Sequence, residues 1–140
     1  MKKTSLILIT FACMSLTACQ TTSMNQVMET SESAVQLRSI QSRAFNTTNR
    51  TKTLRTVIAT LQDLGFVIDK ADKELGTVSG TKLDGYQLRM MITTRAKGKK
   101  QTLVRANATY NVTPVQDPAP YQQFFTALEK AMFLTAHEVD

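Results

Sequence analysis

The chain has 140 residues, of which 42% are hydrophobic and 20% are charged, and its formal net charge is +6. A chain of this length forms one domain by the usual relation between length and domain number, and this composition excludes a largely disordered protein. The excess of positive charge is small and scattered along the chain, so it does not predict a nucleic-acid-binding protein.

The first 18 residues have the organisation of a secretory signal peptide. Two lysines precede an apolar run from Leu6 to Leu16, which is too short for a permanent membrane-spanning helix of ~20 apolar residues. Residues 16–19, Leu-Thr-Ala-Cys, resemble the lipobox of bacterial lipoproteins. This resemblance implies cleavage before Cys19 and attachment of a diacylglycerol to its thiol. The alternative is an ordinary secreted protein that is cut at the same bond and leaves Cys19 free.

Residues 19–36 are predicted to be the lipidated cysteine and a flexible tether. Polar residues dominate this segment and its apolar residues follow no sustained period, which favours a mobile coil. About 15 such residues span on the order of 20 Å. An alternative is a short amphipathic turn formed by Met24, Val27 and Met28. Residues 37–140 are then a single domain without a disulfide, since Cys13 leaves with the signal peptide.

This domain is predicted to begin with an edge strand and a helix. Residues 37–45 fit a strand only loosely, because their apolar residues do not keep one parity. The helix is predicted from Arg50 to Leu64, with capping side chains in residues 46–49 and Gly65 at its end. An apolar stripe supports it: Leu54, Val57, Ile58, Leu61 and Leu64.

From Phe66 onward the period of two predicts strands, at residues 66–70, 75–82, 86–95 and 102–112. Asp84-Gly85 is a hairpin signal, and residues 97–100 form a further turn. The prolines at 118 and 120 precede a second helix, predicted to end near Leu134. One apolar and one polar strand face predict an α+β fold, with an antiparallel sheet of four to five strands and two helices packed on one face.

The second helix has an aromatic stripe with two interpretations. Its members are Tyr121, Phe124, Phe125, Leu128 and Met132. Aromatic residues at helical spacing usually fill the core between helix and sheet. The alternative is that some of them line a groove for a lipid or a partner helix.

We find no catalytic or metal-binding signature. The segment from Gly76 to Lys82 contains two glycines and a lysine, but their spacing is not that of a phosphate-binding loop. His137 is the only histidine and has no second histidine or cysteine to share a metal. A hydrolase would need a base held against a serine or threonine. We therefore expect a protein that is not an enzyme and has no cofactor.

The polar face of the predicted sheet is a candidate partner-binding surface. It carries Arg89, Arg95 and Arg105, together with Asn107 and Asn111, and the two predicted strands contain no acidic residue. Arginine makes planar, bidentate contacts with carboxylates and phosphates. This face therefore suits an acidic protein patch or lipid phosphates. The alternative is a solvated face that only keeps the sheet soluble.

Several motifs in the domain resemble a family of small, largely uncharacterised lipoproteins of Gram-negative envelopes. They are Arg43-Ala44-Phe45, LQDLGF at 61–66, Leu75-Gly76 with Lys82, and Asp117-Pro118 with Tyr121, Phe124, Phe125, Phe133 and Leu134. The resemblance implies a lipoprotein of unassigned activity, loosely associated with envelope transport machinery. The order of helix, glycine, strand meander and final helix also resembles the helix-grip domains of BamC, a component of the outer-membrane assembly machine.

These features predict an outer-membrane-anchored lipoprotein that faces the periplasm. We expect a non-enzymatic accessory or scaffold subunit of an envelope transport or assembly complex, with an envelope protein as its partner. The alternative function is a periplasmic carrier that binds a lipid or hydrophobic peptide between helices and sheet. Gln20 is not the aspartate that retains lipoproteins in the inner membrane of many enteric-type bacteria, so the resemblance implies the outer membrane.

Overall fold

Three helices and six strands make up the part of the chain that the structure, a computed structural model, describes: residues 33–83 and 85–137, with side chains through Phe133. The helices are α1 (33–40), α2 (Arg50–Asp63) and α3 (Pro118–His137). The strands are β1 (Ser42–Phe45), β2 (Val67–Asp72), β3 (Thr77–Leu83), β4 (Gln87–Lys97), β5 (Gln101–Tyr110) and β6 (Thr113–Pro114). The predicted signal peptide, Cys19, residues 20–32 of the predicted tether and Asp84 of the predicted turn lie outside the described residues.

The strands form one antiparallel sheet in the order β1-β5-β4-β3-β2, and the two-residue β6 pairs with the end of β5. This confirms the α+β class and the antiparallel sheet. Its main path has five strands, the upper number predicted. From β2 to β5 each strand pairs with its neighbour in sequence, whereas β1 pairs with β5 at the far edge.

The first described segment differs from the prediction in two ways. Residues 33–36, predicted as the end of the tether, and residues 37–40, predicted as part of the edge strand, are helical, and only Ser42–Phe45 forms the strand. Leu37 and Ile40 both pack against the core. A spacing of three residues puts two side chains on one face of a helix but on opposite faces of a strand. The imperfect alternation of this segment was therefore the sign of a helix turn.

Helix α2 begins and ends as its sequence predicts. The Asn49 side chain accepts a hydrogen bond of 2.9 Å from the Lys52 amide and caps the first turn. At the other end Gly65 has φ +85°, and the Phe66 amide donates to the Leu61 carbonyl at 2.9 Å. This is the Schellman motif, in which buried Phe66 also packs near the last turn.

One hydrophobic core joins the helices to alternate positions of the strands. Its apolar members from α2 and α3 are Leu54, Val57, Leu61, Tyr121, Phe124, Phe125 and Leu128, and those from the main strands are Val78, Met90, Ile92, Val104, Ala106 and Ala108. Three threonines of α2 are buried as well. Their hydroxyls donate to carbonyls four residues earlier in the helix, as Thr60 does to Thr56 at 2.8 Å, so no buried hydroxyl among them lacks a partner.

A buried tyrosine ties distant parts of the fold together. The Tyr121 hydroxyl donates to the Val115 carbonyl at 2.8 Å. It accepts hydrogen bonds from the Gln41 side chain at 3.2 Å and the Ala108 amide at 3.3 Å. A tyrosine hydroxyl has one donor and two acceptor sites, so its hydrogen-bonding capacity is filled.

Candidate interaction surface

One face of the sheet is exposed or half-buried along its central strands, and we call it the exposed face. The β4–β5 register places four cross-strand pairs on it: Arg89 with Thr109, Met91 with Asn107, Thr93 with Arg105, and Arg95 with Leu103. The prediction that Arg89, Arg95 and Arg105 share the polar face therefore agrees with the register. Their surroundings are not the same.

Arg89 has an acidic neighbour from another strand. Its Nε lies 3.6 Å from Oδ2 of Asp69, and that same oxygen accepts a 2.7 Å hydrogen bond from the Thr81 hydroxyl. The β2–β3 register shifts between Ile68 and Lys70, at the position of Asp69. Such a bulge leaves two consecutive residues opposite one partner. Arg89 is therefore partly neutralised by a carboxylate that β4 and β5 alone do not reveal.

Arg95 and Arg105 lie close to each other instead, and we call them the arginine pair. Because Arg105 is opposite Thr93 and Arg95 is opposite Leu103, the two arginines are diagonal neighbours, roughly 7–8 Å apart. Both are exposed. Neither forms an ion pair with any residue in the described ranges. Of the three predicted arginines, Arg89 forms an ion pair with Asp69, whereas Arg95 and Arg105 have no acidic partner among the described residues.

The arginine pair adjoins a basic turn between β4 and β5. Lys97, Gly98, Lys99 and Lys100, which we call the lysine turn, are all exposed. Gly98 has φ +60°, a conformation that glycine accepts without strain. As far as the structure describes the chain, these three lysines make no ion pair. The hairpin from Arg95 to Arg105 therefore carries basic side chains and no acidic one.

The two asparagines of the predicted face have different places. Asn107 lies on the exposed face opposite Met91. Asn111 lies beyond the end of β5 and has φ 52°. Its backbone N–H donates a hydrogen bond of 2.7 Å to the backbone carbonyl of Gln87. Val112, the last residue of the strand predicted at 102–112, is 90% exposed. The predicted alternation fails there because the strand ends at Tyr110.

An apolar cleft lies at the carboxyl-terminal end of α3. It has a volume of about 310 Å³ and is lined by Phe45, Asn46, Thr47, Lys52, Thr53, Glu129, Met132 and Phe133. Phe133 is 62% exposed, whereas Phe124 and Phe125 are buried. The core interpretation of the aromatic stripe is thus confirmed for Phe124 and Phe125. Met132, another member of the stripe, lines the cleft, as the alternative of a groove expected. The part that Phe45 takes in it was not predicted, because it depends on how β1 and α3 meet.

A second cleft, of about 300 Å³, lies near the start of α3 and includes Lys82, Tyr86, Tyr110 and Asp117. The two tyrosine rings meet edge to face, with centroids 4.6 Å apart. Burial raises the pKa of the Tyr110 hydroxyl, and the Tyr86 hydroxyl and the Asp117 carboxylate raise it further. The Asp117 carboxylate also accepts a 2.9 Å hydrogen bond from the Ala119 amide. This cap gives it a structural role.

Within residues 33–83 and 85–137, no group of three or more histidine, cysteine, aspartate or glutamate residues is placed to hold a metal ion. The side chain of His137 and the whole of Cys19 lie outside what the structure describes. Over the same ranges, no helix has both the length and the hydropathy needed to span a membrane.

No model of a known protein family matches this sequence, and no curated protein is significantly similar to it. The likeness to envelope lipoproteins and to the helix-grip domains of BamC stays a prediction. The functional argument therefore depends on the residues and their geometry, above all on the exposed face.

Proposed function

We propose that this protein is an outer-membrane lipoprotein, anchored through Cys19, whose periplasm-facing domain is a non-enzymatic accessory or scaffold subunit of an envelope transport or assembly complex. In this proposal α2 and α3 cover one face of the sheet and leave the exposed face to a partner. Support for the anchor comes from residues 1–19, where a basic start, an apolar run and a lipobox-like sequence follow one another.

The arginine pair is the observation that carries the proposal of a partner. Arg95 and Arg105 stand on adjacent hydrogen-bonded strands, so their backbones are held in a fixed relation. Both side chains are exposed, and no carboxylate among the described residues pairs with them. Arginine is enriched in protein interfaces, where it forms bidentate contacts with carboxylates. The partner surface that fits is an acidic patch on another envelope protein.

The interior of the domain favours surface binding over the carrier function. Val57 and Leu61 from α2 and Tyr121 and Phe124 from α3 are each 0% exposed. Side chains from the helices therefore fill the space that a carrier would offer to its ligand. Among the described residues, the space left for a ligand is therefore at the surface and in its clefts, such as the cleft of about 310 Å³ at the end of α3.

The test is affinity purification of the full chain after crosslinking in intact envelopes. The variant Arg95→Glu with Arg105→Glu reverses both charges of the arginine pair. We expect it to recover the partner at least tenfold less than wild type, because like charges facing each other across an interface repel strongly. Its thermal midpoint should be nearly unchanged, since exposed substitutions typically alter stability by less than about 0.5 kcal/mol.

The matched control is Arg55→Glu with Lys130→Glu, which changes the net charge equally at exposed positions on α2 and α3. It should recover the partner as wild type does. Equal recovery by the arginine-pair variant would remove the proposed surface. Equal loss in both variants would show an effect of net charge alone. Recovery of only the monomer under several crosslinkers would contradict the role as a subunit.

A further inference from the structure

The lysine turn differs chemically from the rest of the exposed face. Between Arg95 and Arg105 the chain carries five basic residues and no acidic one. Elsewhere on the sheet an acidic side chain is available, as Asp69 is to Arg89 at 3.6 Å. At the turn three lysines occur within four exposed residues, and none of them has an ion-pair partner in the described ranges.

The lysine turn also lacks the side chains that make a protein interface. The large exposed apolar residues found in the described ranges are Val35, Val67, Leu75, Leu83, Tyr86, Met91, Val112 and Phe133, and none of them belongs to the turn. Protein interfaces are enriched in aromatic residues, methionine and arginine and depleted of lysine. A lysine is a compact charge on a flexible stem. Three of them suit a layer of phosphate groups whose positions are not fixed.

We propose that the lysine turn binds the anionic headgroups of the membrane to which the chain is anchored, an inference that rests on the proposed anchor at Cys19. Each lysine near an anionic surface strengthens association by about fivefold, so three together give on the order of 100-fold. Such a contact is weak by itself, but an anchored domain meets the surface at a high effective concentration.

The consequence is an oriented domain. The anchor allows it to turn freely about the tether, whereas a second contact at the lysine turn removes that freedom. Lys97 lies two residues from Arg95 along β4, a distance of about 7 Å. The bound turn therefore holds the arginine pair close to the membrane surface, where a partner embedded in the same membrane can reach it.

The experiment measures the distance of the turn from the membrane in the full lipidated chain. The exposed Ala96 is replaced by cysteine and labelled with a fluorophore, Cys19 being blocked by its lipid. The protein is incorporated into phosphatidylcholine vesicles with or without phosphatidylglycerol, which carry a headgroup quencher. We expect quenching in the anionic vesicles to be severalfold stronger than in the neutral ones. It should fall at high ionic strength, because the Debye length shrinks from about 10 Å at 0.1 M to about 3 Å at 1 M.

Two variants show whether the quenching in anionic vesicles depends on the lysine turn or on the net charge of the protein. Neutralising the turn with Lys97→Gln, Lys99→Gln and Lys100→Gln should reduce quenching in anionic vesicles to the level of neutral vesicles. The control removes three exposed lysines elsewhere, with Lys70→Gln, Lys73→Gln and Lys130→Gln, and should keep the quenching of the parent. Equal quenching in both vesicle types, or equal loss in both variants, would overturn the proposal.

Flotation of the vesicles at high ionic strength tests the lipid anchor independently of the lysine turn. A protein that floats there is held by lipid, so a failure of the lysine turn is distinguished from a failure of the anchor. A protein that floats only at low ionic strength with phosphatidylglycerol, and stops doing so in the turn variant, supports the turn without an anchor. If the turn variant instead loses an envelope-protein crosslink while phosphatidylglycerol has no effect, the turn binds a protein and the lipid proposal is wrong.

Discussion

Strand β5 has two faces with different consequences. Thr102, Val104, Ala106 and Ala108 are at most 4% exposed, and they belong to the side on which the core is packed. Arg105 and Asn107, between them in sequence, are exposed. On the buried side, removal of atoms leaves cavities and therefore changes stability. On the exposed side, removal of atoms changes the free energy of unfolding very little. Charged side chains there are therefore available for binding.

The strongest test of this comparison uses two phenylalanines of α3. Phe125 is 2% exposed and Phe133 is 62% exposed. We expect Phe125→Ala to lower the free energy of unfolding by about 3–5 kcal/mol, because the large buried ring leaves a cavity. Urea unfolding of the full chain, followed by circular dichroism, measures the loss.

Phe133→Ala is the matched control, and we expect a loss below about 1 kcal/mol, because little of its surface is removed from water. A loss near zero for Phe125→Ala would mean that the stripe is an interaction surface. Equal losses for both would mean that α3 is buried along its whole length, against the observed exposure.

The next test compares two glycines in turns, Gly76 with φ +70° and Gly98 with φ +60°. A Cβ at Gly76 would lie 2.6 Å from the Thr94 carbonyl oxygen, whereas nothing lies within 4 Å of one at Gly98. Gly76→Ala combines backbone strain with a clash against the sheet and should cost about 2–4 kcal/mol. Gly98→Ala involves the strain alone and should cost about 1–2 kcal/mol. Thermal unfolding would rank them, and the reverse order would contradict the packing around Gly76.

The smallest expected effect concerns the Tyr121 hydroxyl. Tyr121→Phe keeps the ring in the core but leaves the Gln41 side chain, the Ala108 amide and the Val115 carbonyl without this partner. Buried groups that lose their hydrogen bonds typically cost 1–3 kcal/mol, so we expect about that loss in urea unfolding. Tyr86→Phe, at a tyrosine that is 50% exposed, should have a smaller effect. An unchanged free energy in Tyr121→Phe would show that water replaces the hydroxyl.

Local patterns in the sequence predict most of this fold. The helix from Arg50, its glycine end at Gly65 and the strand alternation of β4 and β5 each depend on residues close in sequence, and the structure places them as expected. Residues 37–40 were mistaken for a strand because two apolar residues, Leu37 and Ile40, are too few to fix a period. The predicted end of β5 lies two residues too late, because the positive φ of Asn111 ends the strand. The alternation of polar and apolar residues gives no sign of such a backbone conformation.

The candidate surface was predictable only in part. Alternation gives the face on which Arg89, Arg95 and Arg105 lie, because side chains of a strand point to opposite sides in turn. It does not give their neighbours, which depend on strand order. Asp69 reaches Arg89 from β2 across β3. The β4–β5 register brings Arg95 beside Arg105. A count of charged residues on one strand therefore overestimates the number that lack an ion-pair partner, because the partner can come from another strand.

The place of β1 in the sheet has a consequence for the order of folding. The strands β2 to β5 join neighbours in sequence, so each pairing closes a short loop. The pairing of Phe45 with Thr102 instead closes a loop of about 57 residues, and the entropy lost on closing a loop grows with its length. We therefore expect the local hairpins to form first and the docking of β1 against β5 to be the slow, non-local step. Until that step is complete, residues 102–105 of β5 have no strand partner on that side.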